Sequence, residues 1–264
     1  MKVEVDGAAL HYELSGPADA PVVVLSHSLA CSKAMWRPQM AMLNERYRVL
    51  ALDTRGHGDS DATPAPYSLD RLGDDALAVL DALELQAVHW VGLSMGGMIG
   101  QNLALRASHR LLSLTLCDTT SAIPDEAQGA WDERIATVRE QGMGALVEAT
   151  MARWFTAPCL ERDPPELAAI RSLIANTPAE GYIGCVGAIR RLAYTGRLGE
   201  IDLPTMVIVG EEDPGTPVAA SQVLRDGIAG ASMVVLEQAS HLSNVEQPEA
   251  FNRALGGFLA RQTA

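Results

Sequence analysis

The chain has 264 residues, 48% of them hydrophobic and 20% charged, a composition that suits one large α/β domain or a core domain with an insertion. The formal net charge of −13 argues against nucleic acid and against an anionic membrane as partners, because both reward clustered lysine and arginine. The N-terminus lacks the apolar core of a signal peptide, and no apolar run approaches the roughly 20 residues that span a membrane. We therefore expect a cytoplasmic protein, monomeric or a small homo-oligomer.

The predicted elements alternate between short β-rich runs and helical stretches, which is typical of a mostly parallel sheet flanked by helices. The first two strands form a hairpin around Asp6-Gly7, and Ser68 is placed to cap the first helix. Strands are predicted over 2–5, 10–14, 22–26, 47–52, 87–93, 111–117, 206–209 and 233–236, and helices over 68–83, 95–107 and 248–259.

The β pattern disappears between about residues 121 and 195. This stretch is helical in character, broken by prolines such as Pro124, Pro158 and Pro178, and the core pattern resumes at Leu203. We interpret residues 121–195 as a helical lid inserted after the sixth core strand, in a single domain whose core comprises 1–120 and 196–264.

The strongest chemical signal is the run Gly92-Leu93-Ser94-Met95-Gly96, which matches G-x-S-x-G between a predicted strand and a predicted helix. A sharp strand-to-helix turn strains the serine backbone and lifts its hydroxyl above the sheet. The helix N-terminus then favours negative charge that develops nearby. Ser94 is therefore the candidate nucleophile.

A serine nucleophile needs a base to take its proton, and six histidines are available. His241 lies after the last predicted strand and before the last helix, where a loop can carry an imidazole over the carboxyl edge of the sheet. The order Ser, Asp, His along the chain also fits this type of site. Asp213, which follows the strand at 206–209, is the preferred acid; Asp118, which follows the strand at 111–117, is the alternative.

The oxyanion of an acyl-transfer intermediate needs preorganised backbone donors. We expect one from the N–H of Met95 and the other from Leu29, in the loop after the strand at 22–26. His27, in the same loop, is expected to order the loop rather than to act as a base. The glycine-rich residues 53–60 lack the lysine of a phosphate-binding loop, and no metal-ligand or dinucleotide pattern occurs, so no cofactor or metal is expected.

With these residues placed, the chain resembles the α/β-hydrolase superfamily and, more closely, the bacterial 3-oxoadipate enol-lactonases. The similar segments are spread over nearly the whole chain and include LSHSLACSKAMWRPQM, VGLSMGGMIGQNLAL, TPAEGYIGCVGAIRRL and EQASHLSNVEQPEAF. The resemblance implies hydrolysis of 3-oxoadipate enol-lactone to 3-oxoadipate in the catabolism of aromatic compounds. It also places Ser94, Asp213 and His241 on the family's nucleophile, acid and base.

One departure is visible in the oxyanion loop. Where the family would have Asn-Ser-Leu-Gly, this chain has His27-Ser28-Leu29-Ala30, which lies nearer the H-G-x pattern of other hydrolases. The alternatives are therefore a promiscuous carboxylesterase, a lactonase for another ring, a cofactor-free perhydrolase, and a ligand receptor built on a hydrolase scaffold.

The partner predicted from all of this is a small ester or lactone that carries a carboxylate. Such a substrate needs a cationic contact, for which Arg134, Arg190 and Arg191 are the candidates in the lid. The alternative is that they are ordinary surface arginines that pair with the lid's carboxylates. Trp131 shares a predicted helix face with Arg134, and Trp154 is the lid's second tryptophan. Both tryptophans are candidates to line the pocket, with packing of the lid as the alternative.

Overall fold

The computed structural model describes residues 1–262 and contains one eight-stranded sheet. The strands are β1 Lys2–Val5, β2 Ala8–Ser15, β3 Val22–Ser26, β4 Arg48–Leu52, β5 Val88–Leu93, β6 Leu111–Cys117, β7 Thr205–Gly210 and β8 Ser232–Leu236. Their order in the sheet is β1-β2-β4-β3-β5-β6-β7-β8. The pairs β1–β2 and β2–β4 are antiparallel, and β3 to β8 are parallel. The predicted mostly parallel sheet is confirmed.

Helices cover the sheet and fill the long connection between β6 and β7. Within residues 1–262 the α-helices are α1 Arg37–Leu43, α2 Leu69–Ala82, α3 Met95–Arg106, α4 Gln128–Gln141, α5 Val147–Trp154, α6 Ala157–Arg162, α7 Pro165–Asn176, α8 Ala179–Ile189, α9 Val218–Gly227, α10 Ser243–Glu246 and α11 Pro248–Gln262. The three helices predicted in the core correspond to α2, α3 and α11. The short helices α1 and α9 were not predicted.

The central strands are held between helices, which explains their nearly continuous apolar sequences. Every residue of β5 is buried, and α3 packs against β3, β5 and β6. The indole N–H of Trp90 in β5 donates to the carbonyl of Gly96 in α3 over 3.0 Å. At the start of α2, the Ser68 hydroxyl accepts from the N–H of Arg71, as the sequence predicted. The bond between Trp90 and Gly96 spans the strand-to-helix turn that lies between β5 and α3.

The connection between β6 and β7 forms an insertion made of α4 to α8. Its two ends meet at a narrow neck, where Ala122 and Ala193 form an isolated antiparallel bridge. The N–H of Tyr194 donates to Ser121 O over 2.7 Å, and the hydroxyls of Ser121 and Thr195 lie 2.8 Å apart. The neck lies close to the predicted limits of 121 and 195, but a functional division into core and lid stays a prediction.

A second contact between the core and the insertion joins two glycines. Gly56, in the loop after β4, has a φ of +76° and lies against Gly181 in α8. A Cβ on Gly56 would stand 2.3 Å from the Cα of Gly181, and a Cβ on Gly181 would stand 2.0 Å from the Gly56 carbonyl oxygen. In the same loop, Arg55 forms a buried bidentate pair with Asp75 at 2.6 and 2.7 Å. The loop at 53–60 therefore acts as a scaffold between core and insertion.

No helix within residues 1–262 is long and apolar enough to cross the hydrocarbon core of a bilayer.

Candidate active site

Ser94 occupies the strained turn between β5 and α3. Its backbone has φ 54° and ψ −112°, a region that side-chain-bearing residues rarely adopt. Two glycines allow the turn to close: a Cβ on Gly92 would stand 2.1 Å from Gly96 O, and a Cβ on Gly96 would stand 2.1 Å from Ser26 O. The N–H of Ser94 donates to Cys117 O over 2.8 Å, which fixes the turn to β6. The chain thus supports a backbone conformation that is costly in itself.

His241 lies in the loop between β8 and α10 and is paired with Asp213 from the loop after β7. The Nδ1 of His241 lies 2.7 Å from Oδ2 of Asp213. The other carboxylate oxygen, Oδ1, accepts from the backbone N–H groups of Gly215 and Thr216 at 2.8 and 3.1 Å. Both the imidazole and the Ser94 side chain line one cavity, so the structure brings the three predicted residues together.

Each partner of the His241–Asp213 pair shifts the other's proton affinity. Burial alone would lower the pKa of His241, but the charge of Asp213 and its hydrogen bond outweigh this and raise the pKa. Burial alone would raise the pKa of Asp213, but His241 and the donors from Thr216 hold it below its ordinary value. The pair therefore favours an ionised carboxylate beside an imidazole of raised basicity, which suits a general base.

Asp118, the alternative acid, is fully buried and has other partners. Its Oδ1 accepts from the N–H of Gly210 at 2.8 Å, and its Oδ2 accepts from the Ser243 hydroxyl at 2.5 Å. Burial, reinforced by the nearby charge of Asp213, raises the pKa of Asp118 well above its ordinary value. Asp118 thus ties β6 to β7 and to α10, and the hydrogen bond to the imidazole belongs to Asp213.

The two residues predicted for the oxyanion hole differ in their relation to the cavity. Leu29 lines it directly, and Met95 is the first residue of α3, next to Ser94. Among residues 1–262, neither the Leu29 nor the Met95 N–H has a backbone acceptor. His27 orders the loop, as predicted: its Nε2 accepts from the N–H of Thr54 at 3.0 Å, and its Nδ1 donates to Ser28 O at 2.7 Å.

The cavity above Ser94 has a volume of about 460 Å³ and lies between the core and the insertion. Three of the predicted contact residues line it: Trp131, Arg134 and Trp154. Arg190 does not, and that prediction was wrong. Its guanidinium instead pairs with Asp132 at 2.6 Å and with the side chain of Gln128 at 2.6 Å, both in α4.

The sequence reasoning missed Arg153, which also lines the cavity. Its guanidinium donates to the Thr150 hydroxyl over 3.2 Å, and Arg134 lies 4.6 Å from the ring centroid of Trp131. Within residues 1–262 neither guanidinium forms an ion pair, and no Asp or Glu lines the cavity. Burial, followed by the charge of Arg134, lowers the pKa of Arg153. Two cations without a carboxylate partner therefore face the cavity that Ser94 lines.

Comparison with known proteins identifies the family to which this fold belongs. The family profile described as alpha/beta hydrolase fold matches residues 21–248. The chain is 40% identical to 3-oxoadipate enol-lactonase 2 of Acinetobacter baylyi, over 96% of this chain and 94% of that protein. It is 35% identical to a putative carbamate hydrolase RutD of Variovorax paradoxus, over 97% of both chains.

Among solved structures, the enol-lactonase from Burkholderia xenovorans LB400 superposes with a TM-score of 0.95 at 39% identity, covering 98% of this chain and 100% of that one. The match to the family profile spans most of the sequence, and these relatives match it nearly from end to end. The chain therefore belongs to the alpha/beta hydrolase family.

Proposed function

We propose that the protein is a serine hydrolase that opens 3-oxoadipate enol-lactone to 3-oxoadipate through an acyl-enzyme on Ser94, as a step in the breakdown of aromatic compounds. His241 is the general base, Asp213 is its orienting acid, and the amides of Leu29 and Met95 hold the oxyanion.

In the first step His241 accepts the Ser94 proton on Nε2, because its Nδ1 is directed at Asp213 over 2.7 Å. The Ser94 oxygen attacks the lactone carbonyl, and the oxygen of that carbonyl becomes the oxyanion. Each of the two backbone donors is expected to contribute about 3–4 kcal/mol to the stability of this intermediate, judged from donor deletions in other hydrolases.

Collapse of the intermediate breaks the ring C–O bond and releases an enolate oxygen. This leaving group needs less protonation than a simple alkoxide. His241 gives it the proton taken from Ser94 and becomes neutral again, and the enol that forms ketonises by moving the proton from oxygen to carbon. Water then gives a proton to His241 and attacks the acyl carbonyl, and Ser94 leaves with that proton. The overall reaction consumes one water and releases one proton at neutral pH, because the new acid ionises.

The observation that most supports a carboxylate-bearing substrate is the pair of unpaired guanidiniums at the cavity. The protein as a whole carries a net charge of −13 and repels anions, yet Arg134 and Arg153 face a cavity that no acidic side chain of residues 1–262 lines. Both arginines are half-buried, and a partly buried cation without a carboxylate partner is unfavourable unless an anion completes the site. A neutral ester would leave both charges uncompensated.

The test is to measure how fast the purified protein hydrolyses a panel of substrates. The rate is monitored by titrating the acid that is released at constant pH. We expect a higher kcat/KM for 3-oxoadipate enol-lactone than for p-nitrophenyl acetate and for unsubstituted five-membered lactones, and loss of turnover in Ser94→Ala. A kcat/KM for the lactone no better than for simple esters would contradict the substrate assignment and favour a promiscuous carboxylesterase.

Small carbamates belong in the same panel, because the chain also matches the putative carbamate hydrolase of Variovorax paradoxus. Faster hydrolysis of a carbamate than of the enol-lactone would transfer the assignment to that reaction. Halogenation in acetate and peroxide that exceeds ester hydrolysis would favour a perhydrolase, and a single turnover without recycling would favour a receptor.

A further inference from the structure

The loop that carries His241 is attached to the insertion as well as to the core. We call residues 237–242, between β8 and α10, the base loop. The N–H of Leu242 donates to Trp154 O over 3.1 Å. The Ser240 hydroxyl lies 3.0 Å from Arg153 O and 3.3 Å from Glu212 O. The base loop is therefore hydrogen-bonded to residues 153 and 154, where α5 ends.

Glu246, the last residue of α10, adds a tie between the same two segments. One of its carboxylate oxygens, Oε1, accepts from both the N–H and the hydroxyl of Thr156 at 3.0 and 2.5 Å. The other oxygen, Oε2, accepts from the N–H of Ser240 at 2.8 Å. Thr156 and Ser240 are both buried. Charge-assisted hydrogen bonds of this kind are about twice as strong as neutral ones, so one carboxylate clamps two backbone segments together.

The clamped unit contains groups with two different tasks. The ring of Trp154 stacks on the imidazole of His241, with centroids 6.1 Å apart and planes inclined by 29°. The neighbouring Arg153 extends its side chain into the cavity. The general base and one cation for the substrate carboxylate are thus carried by two backbone segments that Glu246 joins.

We infer that Glu246 is a positioning residue that holds His241 and Arg153 in register, so that the substrate carboxylate on Arg153 sets its carbonyl against the base. The part that concerns Arg153 rests on the proposed function, whereas the part that concerns His241 holds for any ester. Positional errors of about 1 Å in a reacting group cost about 100-fold in rate, which sets the scale of the effect.

The experiment measures kcat and KM for p-nitrophenyl acetate, a neutral ester, and for 3-oxoadipate enol-lactone. The variants are Glu246→Ala, Glu246→Gln, Thr156→Val and Thr156→Ser. Glu249→Gln is the matched control, because it removes an exposed carboxylate three residues along the chain. Thermal unfolding of each variant separates loss of fold from loss of position.

We expect Glu246→Ala to lower kcat on the neutral ester about 100-fold and to raise KM for the lactone, with KM for the ester unchanged. Glu246→Gln should lower kcat nearly as much, because its amide N–H groups would face the donors of either Thr156 or Ser240. Thr156→Val should have a kcat on the neutral ester between those of Glu246→Ala and the wild type. Thr156→Ser should behave as wild type because the hydroxyl is retained, and Glu249→Gln should change neither kcat nor KM.

Unchanged kcat on the ester in Glu246→Ala would overturn the inference, whatever happens to its melting temperature. Equal losses in Thr156→Val and Thr156→Ser would also overturn it, and this pair decides the question if the Glu246 variants do not fold. A fall in kcat without a rise in KM for the lactone would refute the link to Arg153. Wild-type protein that hydrolyses the ester but not the lactone would refute the proposed function and leave the ester data to decide the role of Glu246.

Discussion

Replacing each candidate acid by asparagine should separate Asp213 from Asp118. In Asp213 one carboxylate oxygen accepts from two backbone N–H groups, and the other accepts from the Thr216 hydroxyl and His241. The single oxygen of an asparagine has to stay with the backbone donors, since those cannot reverse. The amide nitrogen then faces Nδ1 of His241, donor against donor, and forces the imidazole into the tautomer that carries its hydrogen on Nε2.

That tautomer cannot accept the Ser94 proton. Asp213→Asn is therefore expected to lower kcat about 10⁴-fold, the loss that a wrong histidine tautomer causes in another serine hydrolase. This corresponds to about 5.4 kcal/mol of transition-state stabilisation at 1.36 kcal/mol for each factor of ten.

Asp118→Asn should cost far less, because its hydrogen bonds survive. The amide oxygen can keep the N–H of Gly210, and the amide nitrogen can donate to the Ser243 hydroxyl, which is able to accept. Burial already raises the pKa of Asp118 well above its ordinary value, so a neutral amide is a close substitute. We expect a loss of less than about tenfold, or 1.4 kcal/mol.

The assay is steady-state hydrolysis of p-nitrophenyl acetate at a pH well above the acid limb, with circular dichroism and thermal unfolding to confirm that both variants fold. The reverse ranking, with Asp118→Asn the more damaged enzyme, would show that the acid of the triad has been assigned to the wrong strand.

Three further predictions concern the base, the cations and the glycine contact. Burial alone would lower the pKa of His241, but its carboxylate partner raises the pKa above the ordinary value of a histidine. Since the base must be neutral, the midpoint of the acid limb of the kcat/KM profile should lie above that ordinary value, and a midpoint below it would contradict the assignment of His241 as the base. Arg153→Gln should raise KM for the enol-lactone about tenfold or more, with little effect on KM for a neutral ester. Arg190→Gln, outside the cavity, should leave KM for both substrates unchanged. Equal effects of the two substitutions on KM for the lactone would exclude an anion site at Arg153. Gly181→Ala should lower the free energy of unfolding by about 1–3 kcal/mol or more through overpacking. Gly187→Ala is the control in the same helix, because its added Cβ would have no neighbour closer than 3.5 Å; it should leave the free energy of unfolding unchanged or raise it by up to about 1 kcal/mol. Denaturant titration of both variants measures the difference.

The strained turn at the candidate nucleophile could be predicted because its signal is local. The buried strand, the glycines and the helix that create the turn at Ser94 are consecutive in sequence. The strands at 22–26 and 111–117 were equally clear, since strands covered on both faces have continuous apolar runs. Helices α1 and α9 were not predicted; α1 has only seven residues with a proline in its first turn, and α9 has ten residues and follows Pro217.

The lining of the cavity could not be predicted in the same way. Whether an arginine of the insertion faces the cavity or the solvent depends on the rotation of its helix, and the packing of other elements sets that rotation. Arg190 pairs with Asp132 of α4, whereas Arg153, at the end of the short helix α5, is turned toward the cavity and its carbonyl is bonded by the base loop. Glu246 could not be singled out either, because its partner Thr156 lies 90 residues away in sequence.

The glycine-to-glycine contact between residues 56 and 181 limits how this enzyme can be rebuilt. Insertions are the natural segments to exchange between relatives when substrate range is to be altered. Here a transplanted insertion would need a residue without a side chain at the position of Gly181, and the recipient core would need one at Gly56, because neither backbone leaves room for a methyl group on the other. A chimera that carries only one of the two should be less stable than one that carries both, whatever the chemistry of its active site.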